Sequence, residues 1–506
     1  MNHLAEREGG RAPLALGFIL LLAGGLRGFA VGRHGFWQDE IHSIHVARDL
    51  SRVGDPLMGH APLYYALLRG WLAVGESEAW VRGLSVVIGL LCVASLYFVA
   101  RADVGEKGAL LAAWLAAVSP AAIGASREAR GYGLLALTAM VAFWALRRAG
   151  ESGLLRYWLL LGLSSAVALY THYYAVFVLA ALGLVALLPS RVSLPRRLIG
   201  FASAILVAGL LFLPWLPVFL AGQKGLAGYA REVNRFATGH SYSAKTLLYL
   251  LARTDPPHLL GAAAEAVWPD RSFTALSLGA FVLLLALVVR RIVAEGARSR
   301  LLPWTVMSVA PVVLAVIGHY AGNVIVGSRY VAFTGLFLGV PTAGVLAGFA
   351  PWVRRAAAVL AMMLGLIGSW SLYSRPMSQI REGVRFIDAQ AGPGDCVVTV
   401  SNKAFVYRYY SQRPLPSFNL PWDAPGIERR VTPASPLAER AIREEDLPAI
   451  LALLHTCRTT FVLYNETTVW GVDMGASRLR RALDLGGIRR KASRQFSDTV
   501  VEAYGP

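Results

Sequence analysis

The sequence predicts a polytopic α-helical membrane protein that carries a small C-terminal α/β domain. Three observations predict it. Of the 506 residues 56% are hydrophobic and only 16% charged, against roughly 25% charged in soluble domains. Apolar runs recur at about the 20-residue length that a helix needs to cross hydrocarbon. Beyond Ser374 those runs stop and charges become frequent. The net charge of +18 does not point to nucleic acid, because most of the basic residues lie in short loops between apolar runs, where they set orientation. Three cysteines without a CxxC spacing indicate neither a zinc site nor a thiol-redox motif.

The apolar runs fall near 14–31, 81–100, 108–125, 131–147, 157–171, 173–188, 198–219, 276–292, 302–320, 329–349 and 353–373, giving about 11 spans. The first follows Arg7 and Arg11 and reads as an uncleaved span rather than a signal peptide. Alternate loops hold Arg101 and Lys107, Arg147 and Arg148, Arg191 with Arg196 and Arg197, Arg290 with Arg298 and Arg300, and Arg354 with Arg355. Those loops are expected to be cytoplasmic. An odd span count then puts Asp39, the 220–275 loop and the tail on the other side.

The loop after the first span opens with FWQDEIHSIHVAR, residues 36–48. Ile41, Ile44, Ala47 and Leu50 recur at helical spacing, so a short helix is expected to hold Asp39 and Glu40 at the membrane–water boundary. Further on, Ala66–Val74 is too short to span and reads as an interfacial or re-entrant helix. The loop from Gln223 to Ser272 carries Tyr229, Arg231, Glu232, Arg235, His240, Tyr242 and Lys245, and is either a cover for a substrate or a solvated connector.

The chain divides at 375/376 on this reading, with a membrane domain over 1–375 and a soluble domain over 376–506. In the second part, Ile380, Val384 and Ile387 have helical spacing, Cys396–Val400 and Thr459–Tyr464 read as strands, Leu447–Leu454 as a helix and Gln495–Ala503 as a last strand. Helix and strand in alternation indicate an α/β domain. Cys396 and Cys457 are read as two buried thiols, with a disulfide as the alternative.

Charges at span ends need a reason, because an ionised residue within hydrocarbon costs roughly 2.5–3.5 kcal/mol on insertion scales. Four groups fall on the expected non-cytoplasmic face: Asp39-Glu40; Arg127, Glu128, Arg130 and Tyr132; His172, Tyr173 and Tyr174; and His319-Tyr320 with Arg329-Tyr330. Each has an ordinary reading. The acids make a solvated pair, Arg127 and Glu128 an ion pair at a helix end, His172 a bond to its neighbours, Arg329 a snorkelling side chain, and the tyrosines an aromatic belt. Their common face favours a cavity that binds an anionic headgroup and activates a hydroxyl.

In order, the segments WQDE, HAPLYYALLRGW, SEAWVRGLSVVIGLL, SREARGYGLLAL, YTHYYAVF and SRYVAF resemble the bacterial protein O-mannosyltransferase-like glycosyltransferases (family 39 type), membrane enzymes of the C fold. The resemblance runs through residues 36–333. It implies sugar transfer from a polyprenyl-phosphate donor to a lipid, glycan or protein hydroxyl at the extracytoplasmic face of a bacterial inner membrane. It implies Asp39, beside Glu40, as catalytic base, and Arg127, Arg130 and Arg329 as holders of the carrier phosphate. His60, Glu128, Tyr132, His172, Tyr173 and Tyr330 are the expected substrate-binding residues. The chemistry agrees. Arginine offers phosphate a planar fork of donors, and a carboxylate can take the acceptor proton. One carboxylate base without a second nucleophile suits single displacement with inversion. No cofactor is expected. His172, His60 and Glu40 lack a metal-ligand spacing, and a divalent metal stays open. The alternative function is a transporter or flippase of a lipid-linked sugar; the pseudo-repeat of broken spans common in transporters is not found.

Overall fold

The computed structural model describes residues 11–54, 60–223, 250–251, 253–255, 258–268, 273–321, 328–375, 378–400, 404–413, 415–425, 427, 441–464, 475–496 and 499–505. The polar residues from Tyr229 to Lys245 singled out above lie outside them. The chain forms two compact units. One takes the described residues of Met1–Val31, His60–Leu220 and Ser243–Arg375; the other takes those of Gly32–Gly59, Ala221–Tyr242 and Pro376–Pro506. The sequence boundary at 375/376 keeps Asp39 with the membrane part, whereas the structure groups its segment with the C-terminal domain.

The described secondary structure of the first unit is helical, and each expected apolar run is mostly helical, although 108–125 is broken at Ser119 and 329–349 at Ala332. Among the described residues six helices are long and apolar enough to cross a membrane: Glu78–Val118, Tyr132–Ser152, Leu194–Gln223, Thr274–Glu295, Leu302–Tyr320 and Pro351–Ser374. Shorter apolar helices lie within Arg11–Gly28, Ala175–Leu187 and Phe333–Ala347. The expected spans 81–100 and 108–125 meet in Glu78–Val118, which bends at Gly105, where φ is 70°, a conformation that a side chain disfavours. Ser77 starts this helix by accepting the Trp80 N–H (3.3 Å). At its other end Ser119 accepts the Ala122 N–H (3.0 Å), and Pro120 opens the next short helix, Pro120–Ser126.

Two arginines tie helix ends inside this unit. The last carbonyls of a helix have no partner in it. Arg27, only 1% exposed, donates to Ala116 O (3.0 Å), Ala117 O (2.9 Å) and Ser126 Oγ (3.2 Å). It thereby closes the end of Glu78–Val118. Gly89 makes the room, since a Cβ there would collide with the Ser126 side chain. Arg127 in turn donates to the carbonyls of Arg27 (2.9 Å), Phe29 and Ala30 (3.3 Å), at the end of Arg11–Gly28. Its guanidinium also lies 4.9 Å from the Tyr373 ring.

The second unit holds a five-stranded mixed sheet, ordered β2-β1-β3-β5-β4. The strands are β1 (Cys396–Val400), β2 (Ser417–Leu420), β3 (Thr460–Tyr464), β4 (Arg489–Gln495) and β5 (Val500–Gly505). β1 runs parallel to β2 and β3, while β5 is antiparallel to both β3 and β4. β1, β3 and β5 are buried along their whole length, as expected of strands covered on both faces. One face carries Val398, Val400, Val462 and Tyr464 against Ile450, Leu454, Leu479 and Leu483. On the other, the expected helix forms over Ile380–Gln390 and buries Ile380, Val384 and Ile387. β4, with its exposed sequence RRKASRQ, has no apolar alternation to announce it.

Cys396 and Cys457 form a disulfide, with Cα atoms 5.8 Å apart, so the reading of two free thiols is corrected. Parallel pairing sets Cys396 opposite Thr460, which brings the turn residue Cys457 within bridging distance. That register is a tertiary fact the spacing of 61 residues does not reveal.

Candidate functional site

The acidic stretch forms the helix Gln38–Arg48. Ile41, Ile44, Val46 and Ala47, in the segment grouped with the second unit, are buried, so these side chains pack on protein rather than in the membrane interface that the sequence predicts for them. Phe36 and His45 lie against the Tyr409 ring at 6.0 and 6.4 Å, and the Phe36 N–H donates to the Tyr410 hydroxyl. Glu40 is only 1% exposed, and its Oε2 accepts the Trp37 N–H (3.2 Å). It acts as the N3 partner that stabilises the start of the helix. Asp39, in the preceding position, is half-buried, and its backbone carbonyl accepts Ser43 Oγ (2.9 Å). The two adjacent acids therefore differ: Glu40 is buried and holds the start of the helix, whereas Asp39 stays partly exposed.

In the first unit a cavity of ≈ 370 Å³ is lined by Glu128, Arg253, His258, Glu265, Arg329 and Arg375, with Pro120 and Gly124 in its wall. Three arginines against two carboxylates make it a net cationic pocket. Arg253 is held by Glu265 (3.1 Å). Beneath His258, Asp255 is buried and accepts the Ala121 N–H (3.1 Å) and the Ser119 hydroxyl. Its Oδ1 lies 3.7 Å from His258 Nδ1. Arg329 also lines a smaller cavity with Arg27, Ser126 and Tyr132. The buried Tyr132 hydroxyl has no hydrogen-bond partner among the described residues, which leaves it able to bond an occupant.

Beside that smaller cavity stands an aromatic box. Tyr132, His172 and Tyr330 lie with each pair of ring centroids 5.8 Å apart, and Tyr174 is 5.2 Å from Tyr330. His172 Nδ1 accepts the Tyr174 N–H (3.1 Å), which leaves its proton on Nε2. Burial first, and the charge of Arg130 second, push this imidazole down to about 3. It is a neutral wall at physiological pH.

The remaining expected residues hold the loop at His60. Tyr173 donates to His60 O (2.9 Å) and accepts Trp215 Nε1 (3.1 Å). Arg130 donates to the Tyr65 hydroxyl (3.5 Å), and the His60 ring is 5.5 Å from Tyr65. The structure thus brings Glu128 and Arg329 together in one cavity, and Tyr132, His172 and Tyr330 together in one box. It sets Arg127 apart as a helix cap. Arg253, His258, Glu265 and Arg375 are not singled out by the sequence: the first three lie inside the stretch expected as the Gln223–Ser272 loop, where the structure has a helix over His258–Val267, and Arg375 lies just past the last apolar run. Arg27 escaped too, although a charge inside an apolar run is itself a flag.

Residues 59–217 match the family described as dolichyl-phosphate-mannose-protein mannosyltransferase. Across the whole chain, the ArnT structure from Cupriavidus metallidurans in the apo state superposes with a TM-score of 0.62 at 14% identity, covering 98% of each chain. The chain has the glycosyltransferase C fold. The same protein bound to undecaprenyl phosphate gives a TM-score of 0.59 at 14% identity, again over 98% of both chains. The archaeal oligosaccharyltransferase AglB from Archaeoglobus fulgidus, in complex with an inhibitory peptide and a dolichol-phosphate, gives 0.55 at 12% identity, over 90% of this chain and 70% of that one. No curated protein matches the sequence. Of the motifs behind the resemblance, HAPLYYALLRGW, SEAWVRGLSVVIGLL, SREARGYGLLAL and YTHYYAVF lie within the matched residues; WQDE and SRYVAF lie outside.

Proposed function

We propose that the chain is a membrane glycosyltransferase that moves a sugar from a polyprenyl-phosphate carrier to the hydroxyl of a lipid, glycan or protein acceptor. The observation that carries this reading is the cationic cavity of Arg253, Arg329 and Arg375, in a fold whose whole-chain match includes a structure bound to undecaprenyl phosphate. The arginines hold the anionic oxygens of the carrier phosphate through paired donors. Phosphate is already a usable leaving group, so the protein's main tasks are to hold it and to accept the acceptor's proton. Asp39 takes that proton as the new glycosidic bond forms. The displacement is single and inverts the sugar carbon. Tyr132 offers its hydroxyl to the bound donor. His172, Tyr174 and Tyr330 give the site an apolar wall.

The reading places the site and the C-terminal domain on the extracytoplasmic side of a bacterial cytoplasmic membrane. Two observations support this: the basic residues gathered in alternate loops, and the Cys396–Cys457 bridge, a bond that persists in oxidising compartments. The test is incubation of the purified protein in lipid with a panel of polyprenyl-phosphate sugars and membrane extract. Release of free polyprenyl phosphate together with a glycosylated product is expected. Movement of the intact donor across the bilayer, with no sugar transferred, would contradict it.

A further inference from the structure

The membrane unit has a second charged cavity, of ≈ 720 Å³, at the other ends of its helices. The helix Tyr132–Ser152 links the two regions: Tyr132 belongs to the candidate site, and Arg147, 15 residues on, lines the second cavity. At 1.5 Å per residue they are about 22 Å apart along the axis. The second cavity carries six arginines and two acids, Asp103 and Glu151, an excess of four positive charges. Arg147 and Arg148 pair with those acids at 2.7 and 3.4 Å. Trp304 Nε1 fixes Asp103 from the other side (2.8 Å).

Among the described residues the other four arginines have no carboxylate in a hydrogen bond or ion pair, and Arg300 acts on Asp103 through its charge alone. Arg300 donates to Ala102 O (2.6 Å). Arg191 and Arg298 are exposed and have no hydrogen-bond or ion-pair partner among the described residues. Arg197 is the decisive one. It is 6% exposed and lines the cavity. One Nη donates to Leu188 O, while its buried Nε has no partner. A buried guanidinium without a counter-charge is expensive, and an anion in the cavity removes that cost.

We propose that this cavity binds the phosphate groups of an anionic membrane lipid. The surroundings favour a lipid over a soluble phosphate. Leu187, beside the lining residue Leu188, is 52% exposed, and Leu194, one turn before Arg197, is 42% exposed. Leu154 and Leu155, just past Glu151, are 46% and 70% exposed. Acyl chains lie along these leucines while the headgroup enters among the arginines, as basic pockets between membrane helices hold two-phosphate headgroups. The site fits a lipid with two phosphodiesters, such as diphosphatidylglycerol.

The test uses the full-length protein in micelles with added diphosphatidylglycerol or phosphatidylcholine, and counts retained lipid by native mass spectrometry. Arg191→Ala/Arg298→Ala removes two exposed cavity arginines. Arg290→Ala/Arg355→Ala removes two exposed basic residues outside the cavity. Each arginine near an anionic headgroup is worth a factor of about 5. The cavity variant should therefore bind diphosphatidylglycerol about 25-fold more weakly, while the control variant and the wild type retain it in preference to phosphatidylcholine. Equal retention by the two double variants would overturn the site. Inorganic pyrophosphate that displaces the lipid from wild type at micromolar concentration would overturn its assignment to a lipid.

Discussion

Arg27 offers a test of how much of the charge in this membrane unit serves packing. Arg27→Met keeps the length and apolar stem of the side chain and removes its donors. Ala116 O and Ala117 O, bonded at 3.0 and 2.9 Å, then end a helix with no partner in an apolar setting. Each orphaned acceptor costs about 1–3 kcal/mol. Removal of a buried charge offsets part of this, leaving a net loss of about 2–3 kcal/mol. That is a factor of roughly 30 to 150 in the folding equilibrium. Ser126 loses less, because its hydroxyl still donates to Ala122 O (2.7 Å). The assay is the thermal midpoint of the full chain in detergent, read by size-exclusion profile after heating, beside donor binding at low temperature. Arg127→Met should behave alike, since its donors go to the end of Arg11–Gly28. A thermally unchanged Arg27→Met protein that no longer binds the lipid-linked donor would refute the capping argument and move Arg27 into the chemistry.

Three further expectations follow from the geometry. Arg329→Lys keeps the charge of the cavity but loses the planar fork; the apparent KM for the donor should rise about tenfold with the thermal midpoint unchanged, and a wild-type KM in this variant and in Arg253→Ala would remove the cavity from donor binding. His172→Gln should keep the pH–rate profile between pH 5 and 9, because burial already holds the imidazole neutral with its value near 3; a lost limb would make His172 a titrating participant. Asp395 lies below the usual carboxylate range: burial raises it, but the hydrogen bonds of Arg458 (3.0 Å) and the Gly392 N–H (2.7 Å), with the Arg458 charge, outweigh that. A depressed carboxylate stabilises the fold above its unfolded value and loses that support as pH falls through its folded one. Acid unfolding of the C-terminal domain should therefore begin at a higher pH in Arg458→Ala, as followed by circular dichroism.

What the sequence made legible has a physical pattern. Apolar runs and span-end charges depend on local composition, so the apolar helices of the membrane unit, the helix Gln38–Arg48 and the strands β1 and β3 are readable, whereas the helix His258–Val267, inside a stretch that reads as a loop, is not. Partners were not. Nothing local says that Arg127 reaches back about 100 residues to the end of Arg11–Gly28, or that Cys457 meets Cys396. Asp39 and Glu40 look equivalent in sequence; the burial of Glu40 and its bond from the Trp37 N–H mark it as the cap. The cavity needed Arg253, Glu265 and Arg375, which neither periodicity nor motif distinguishes from other loop charges. Its two foreseen members, Glu128 and Arg329, stood out because they bracket apolar runs on one expected face.

The proposed chemistry is tested most directly at Asp39. Wild type and Asp39→Asn are compared in lipid with the polyprenyl-phosphate sugar that the panel identifies, measuring product formation and donor binding separately. A general base contributes about 10²- to 10⁴-fold in rate. Asp39→Asn should lose turnover by that factor and bind the donor as wild type does, with Glu40→Gln losing stability more than rate. An Asp39→Asn protein that transfers sugar at the wild-type rate would contradict the assignment of the base.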